Sequence, residues 1–148
     1  MENVKQQALE FCKEQLGLKR TKIEKSIKLL QNSLTSESKS TAGDKHETGR
    51  AMIQLEREKL GFQLKELEKQ EALLYRIKLE SSTGLVAAGS YVKTSLMDYF
   101  LSVSLGKMDT INAFAISIQS PIGRLLLGKK EGDIFSFNGK EQKIIKIL

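Results

Sequence analysis

Asp44 and Glu47 stand three residues apart in the stretch 40–52, Ser-Thr-Ala-Gly-Asp-Lys-His-Glu-Thr-Gly-Arg-Ala-Met. On a helix that spacing puts both carboxylates on one face. Two such groups can share one hard divalent cation, with waters or phosphate oxygens filling the rest of its shell. Alone they would hold Mg²⁺ weakly, so the pair acts only where other ligands already wait. The same residues also fit a purely structural role. Thr41-Ala42-Gly43-Asp44 suits a capping box, and both acids favour the positive end of a helix dipole. Lys45 and Arg50 would meet RNA phosphates in the first reading and are ordinary solvated residues in the second. His46 is a bystander in both.

Other chemistries are poorly supplied. His46 is the sole histidine and Cys12 the sole cysteine, which excludes a histidine-rich or cysteine-based metal site and an internal disulfide framework. A Ser-His-Asp triad would have to be built on His46, with no oxyanion hole in view. Gly128-Lys129-Lys130 lacks the preceding glycine and the helix of a phosphate-binding loop, so its lysines read as a solvated turn.

The elements that must position the acidic pair are two long helical patterns. The first runs to about Leu34, with a seam at Ile23, Ile27, Leu30 and Leu34 that extends backwards through Leu16, Phe11 or Cys12, Ala8 and Val4. Gly17 interrupts it and marks a candidate kink. The second runs from Asp44 to about Glu80, with Ile53, Leu60, Leu64, Leu67, Leu74 and Ile77 at heptad-like spacing. Apolar stripes on otherwise charged helices predict a two-stranded antiparallel coiled coil with the 40–52 stretch at its tip. At 1.5 Å per residue the second helix would be roughly 55 Å long, too long to bury itself in a small core. Residues 1–80 are therefore expected to form a coiled-coil hairpin with its acidic tip at about 40–50. Dimerisation through the same stripes is the plainer alternative.

Ser81-Ser82-Thr83-Gly84 marks the boundary to a second domain over 81–148. Strand-like runs follow at 85–92, 99–105 and 114–118, with a turn across 106–112. Ser120-Pro121 reads as the N-cap and first position of a short helix over Ile122–Leu127 that stops at Gly128. Ile134–Phe137, the hairpin signal Asn138-Gly139 and a last strand over Lys140–Leu148 complete a small antiparallel sheet. The fold class is thus α+β, with a modest second core.

The chain has 148 residues, 40% apolar and 28% charged, with a net charge of +6 spread over both halves. With six Phe, three Tyr and no Trp, none interleaved with a basic cluster, direct sequence-reading of DNA or RNA is poorly supported. No apolar run is long enough to span a membrane, and Met-Glu-Asn-Val-Lys lacks the apolar core of a signal peptide, so a cytoplasmic protein is expected.

Taken together, the two halves resemble the bacterial GreA/GreB transcript cleavage factors. Gly43-Asp44-Lys45-His46-Glu47 stands where that family carries Gly-Asp-x-x-Glu. Ser120-Pro121-Ile122-Gly123-Arg124-Leu125-Leu126-Leu127-Gly128-Lys129 is similar to its signature Ser-Pro-Ile-Ala-Arg-Ala-Leu-Leu-Gly-Lys. Ala88-Gly89-Ser90 and the strand over Lys143–Leu148 are similar as well. The chain departs from the family at Thr48-Gly49-Arg50-Ala51, where Asn-Ala-Glu-Tyr is usual, and its connection over Thr35–Gly43 is longer.

The resemblance implies a C-terminal domain of the FK506-binding-protein type that docks at the rim of the RNA polymerase secondary channel. Ser120, Pro121 and Arg124, with Lys45 and Arg50, would face the partner. The coiled coil would carry Asp44 and Glu47 to the active centre, where they help hold a Mg²⁺ shared with the polymerase and assist the attacking water at the 3′ end of a backtracked RNA. The chain would then be an accessory factor and not itself an enzyme, monomeric, with no tightly bound cofactor of its own. A second reading is a non-cleaving regulator of the same channel. A prolyl isomerase is disfavoured, because the sequence shows no aromatic-lined pocket signature and fold alone does not give function. A coiled-coil assembly protein completes the alternatives.

Overall fold

No proline precedes Pro121, and nothing else breaks the two long amphipathic runs. Helix α1 spans Val4–Lys39 and helix α2 spans Asp44–Tyr75. In this computed structural model the backbone of residues 3–39, 44–80 and 83–148 is described, and side chains over the same ranges except 36–39 and 44–47. By contacts the chain divides into two compact units, Gln15–Glu71 and the combination of Met1–Glu14 with Ala72–Leu148.

In the Gln15–Glu71 unit the helices run antiparallel, since Arg20 meets Glu68 and Glu71 while Lys22, Ile23 and Ser26 share a groove with Leu60 and Gln63. The seam is the expected one. Leu16, Ile27 and Leu67 are buried, and Ile23, Leu30, Leu34, Ile53, Leu60 and Leu64 are half-buried beside them. Apolar residues off the stripe, Leu18, Leu29, Met52, Leu55 and Phe62, are exposed. Helix α1 continues through Gly17, and the Thr21 hydroxyl donates to the Gly17 carbonyl at 3.1 Å.

The other unit is built on a six-stranded sheet. Its strands are β1 (Tyr91–Thr94), β2 (Asp98–Ser102), β3 (Gly106–Met108), β4 (Ala113–Ser117), β5 (Ile134–Phe137) and β6 (Lys140–Ile147), in the order β3-β4-β2-β1-β6-β5. Helix α3 spans Pro121–Leu126. The sheet is mainly antiparallel, but β2 and β4 pair in parallel, with Asp98 opposite Ala113 and Ser102 opposite Ser117. The short β3 makes this possible by occupying the edge beyond β4. Strand β2 lies near the middle and is buried on both faces. Tyr99 and Leu101 join a core with Val86, Val92, Ile116, Ile122, Leu126, Phe135, Ile144 and Ile147. On the opposite face Ser102 lies against Cys12, with Oγ and Sγ 3.7 Å apart, and burial pushes the Cys12 thiol up from its ordinary pKa.

Several boundaries differ from those expected. Helix α2 ends at Tyr75, five residues early, in tight bonds from Arg76 N to Leu73 O and Ile77 N to Leu74 O. Ile77 then packs on Gly89, whose φ of 90° turns the chain; a Cβ there would meet Ile77 Cγ2 at 3.1 Å. That turn also takes most of the first strand expected over 85–92, so β1 begins only at Tyr91. The expected 106–112 turn supplies β3 before Asn112 reverses the chain with φ 51°. The short helix and the last hairpin stand as expected. Ser120 caps α3, Pro121 opens it, and Asn138-Gly139 joins β5 to β6 with φ values of 54° and 76°.

Candidate functional site

Helix α2 opens on Asp44, so the backbone places Asp44 and Glu47 in its first turn, on one helical face. Their side chains, those of Lys45 and His46, and the capping contact of Thr41 with Asp44 lie outside the described residues. Arg50 is exposed, and Gly49 is accommodated within the continuous helix. Among the described residues no cluster of three His, Cys, Asp or Glu side chains is positioned to hold a metal.

In the sheet unit, Ser120, Pro121 and Arg124 come together because α3 is one short, tightly capped element. The Ser120 hydroxyl accepts from Gly123 N at 3.1 Å and donates to Ser117 O at 2.6 Å. It is occupied in holding the helix to the end of β4. Pro121, Arg124 and Leu125 are exposed and leave α3 an accessible face on which Arg124 is the charged member. Gly123 sets how closely that helix sits. Where the resembling motif carries alanine, a Cβ in this chain would collide with the Ser117 carbonyl oxygen.

Beside α3 lies a feature that the sequence did not show. Met97, Tyr99, Phe114, Ile116, Ile122 and Phe137 line an apolar concavity of about 290 Å³, with Asn138, Lys140 and Gln142 as its polar members. The sequence carries no signature of it, because Tyr99, Phe114 and Phe137 come from three strands and only the sheet gathers them. Gln142, 2% exposed, accepts from the Tyr99 hydroxyl at 3.0 Å and lies 3.0 Å from Thr94 Oγ1, so its carbonyl is held in place. Burial raises the Tyr99 phenol above its ordinary pKa. An apolar concavity with a few fixed polar groups suits a protein segment or small ligand.

Residues 103–148, which contain β3, β4, α3, β5 and β6, match the family described as "Transcription elongation factor, GreA/GreB, C-term". This last third of the chain is similar to a GreA/GreB C-terminal domain. The match takes in the capped α3 and the concavity's β4, α3, β5 and β6 walls. Solved structures similar to this chain include GreA factor homolog 1 (Gfh1) of Thermus thermophilus, 23% identical, with a TM-score of 0.37 and coverage of 95% of this chain and 94% of that one. Gfh1 of Thermus aquaticus is 22% identical, with a TM-score of 0.36 and coverage of 93% and 94%. No curated protein matches. Among the described residues no helix is long and apolar enough to cross a membrane.

Proposed function

We propose that this GreA/GreB-like chain binds RNA polymerase through the secondary channel and stimulates cleavage of backtracked transcripts, rescuing stalled complexes. One combination carries the reading. A segment over 103–148 that is similar to a GreA/GreB C-terminal domain follows a helical hairpin whose second helix opens on Asp44, with Glu47 one turn on. The exposed Pro121 and Arg124 face of α3 and the neighbouring concavity would dock the polymerase, while the hairpin supplies reach. A Mg²⁺ shared with the polymerase, when bound, stabilises the charge that develops on the scissile phosphate. Asp44 and Glu47 would each lend that ion an oxygen or orient the attacking water, and Lys45 and Arg50 would offset phosphate charge. The chain is then an accessory factor that completes the polymerase's own site.

The test is to add the chain to backtracked elongation complexes carrying labelled RNA, with Mg²⁺ present, and to measure polymerase binding in parallel. Release of short 3′ fragments, lost in the Asp44→Asn, Glu47→Gln double variant while binding persists, is the expected result. Unchanged cleavage by that variant would remove the mechanism. A second reading, a non-cleaving regulator of the same channel, is favoured by Thr48-Gly49-Arg50-Ala51, which departs from the family beside the acids. It predicts binding without fragment release and altered initiation or pausing.

A further inference from the structure

Lys5, in the first turns of α1, is only 3% exposed. Lysine is almost never buried to that degree without a partner, because removing an ammonium from water is costly. Yet the Lys5 ammonium has no hydrogen bond or ion pair with any described residue. Among the described residues no fully buried side-chain nitrogen or oxygen lacks a partner, so the ammonium keeps a small contact with solvent, and Lys5 is a lining residue of a cavity. That cavity, about 170 Å³, lies wholly within the sheet unit. Its walls are Lys5, Arg76, Lys78, Thr83 and Leu85, with the turn 87–90.

The lining holds three cations and no acid. Arg76 and Lys78 follow the end of α2 and are exposed, so they can turn toward the cavity at little cost. Two hydroxyls complete it. Ser90 Oγ accepts from Ala87 N at 2.9 Å and Thr83 Oγ1 from Leu85 N at 3.4 Å, and each keeps its own O–H to donate. Burial pushes the Lys5 ammonium below the ordinary lysine range, and no carboxylate offsets the effect. The backbone amides of Gly89 and Ser90 are committed to Leu101 O and Ala87 O, so the side chains would carry the binding.

We propose that this cavity is a binding site for a small phosphoryl anion, with Lys5 as the desolvated anchor and Arg76 and Lys78 as the outer cations. A tetrahedral dianion matches the donor set of three cations and two hydroxyls, and it would relieve the uncompensated charge of Lys5. The anion is free phosphate or the phosphate of a nucleotide; both present the same group. The site stands independently of the polymerase reading, since none of its residues belongs to the acidic pair or to α3.

The test is calorimetric titration of the full chain with inorganic phosphate and, separately, with a nucleoside monophosphate, at matched ionic strength in chloride. Saturable binding of at least one is expected, weakened about tenfold or more by Lys5→Met, which keeps the apolar stem and removes the charge. Tighter binding of the nucleotide assigns that source, and equal binding assigns phosphate itself. The Arg76→Gln, Lys78→Gln double variant alters only exposed positions, so its folding is secure if Lys5→Met fails to fold, and it too must weaken binding. No saturable binding of either probe, or binding unchanged in both variants, overturns the proposal.

Discussion

Arg20 holds Glu71 through both carboxylate oxygens, with Nη2 2.6 Å from Oε1 and Nε 3.1 Å from Oε2. This is the paired geometry in which a guanidinium fork is strongest. The same guanidinium reaches Glu24 and Glu68, tying α1 to α2 across the hairpin. The hydrogen bonds from Arg20 hold the Glu71 carboxyl below its ordinary range. A lowered carboxyl contributes stability above the unfolded value, about 4.3 for glutamate, and loses it as pH falls through the lower native value. Glu71→Gln should therefore lower the hairpin's thermal midpoint at neutral pH and change little in acid below that window. Added salt should shrink the difference, because the pair is partly exposed. An Arg20→Gln, Glu71→Gln cycle showing strict additivity would refute the coupling.

Gly123 is expected to reverse an ordinary substitution rule. Glycine to alanine inside a helix usually gains up to about 1 kcal/mol. Here the new methyl meets the Ser117 carbonyl, a backbone atom with no freedom to swing aside. Gly123→Ala should cost about 1–3 kcal/mol in denaturant unfolding, the usual range for overpacking. A neutral or stabilising result would mean that α3 can lift from β4.

Gln142 and Tyr99 should lose stability unequally. Tyr99→Phe removes one buried donor and should cost about 1 kcal/mol. Gln142→Leu deprives the Tyr99 hydroxyl of its acceptor inside an apolar wall, so the cost rises to about 1–3 kcal/mol. Chemical denaturation of the two variants checks the order, and the reverse order would show that water satisfies the tyrosine.

Two tyrosines should resist alkali. Burial, aided by the 2.8 Å bond from the Tyr91 hydroxyl to Asp98, raises Tyr91 well above the usual range, and burial raises Tyr99. Groups raised in the folded state contribute stability below the unfolded value, about 10 for tyrosine, and lose it as pH rises through the native value. Phenolate absorbance from Tyr91 and Tyr99 should therefore lag until the fold opens. Ionisation of either phenol at its ordinary pH in the folded chain would contradict this.

Gly139 stands at φ 76° beside Asn138 at 54°. The left-handed pair matches the twist of β5 and β6, and only glycine adopts it without strain. Gly139→Ala should cost about 1–2 kcal/mol, whereas Asn138→Gly should be close to neutral. Hydrogen exchange along β5 and β6 would show the loss as local opening.

Local chemistry made much of this protein legible from its residues. The heptad stripe named the buried side of both helices, because a helix repeats its face every three or four residues and burial follows that face. Ser120-Pro121 and Asn138-Gly139 set a helix start and a hairpin, since caps and turns depend on a few adjacent dihedrals. Asp44 and Glu47 could be picked out as a pair for the same reason, their spacing being a local property. Contacts between distant segments could not be read in this way. Where α2 stops depends on Ile77 meeting Gly89, and the parallel pairing of β2 with β4 depends on β3 taking the edge. Tyr99, Phe114 and Phe137 are scattered until the sheet gathers them into one wall. Lys5 looks like any surface lysine in a charged helix. Only packing in three dimensions buries it without a partner, because desolvation is the sum of neighbours from 76 to 90 that no local pattern announces.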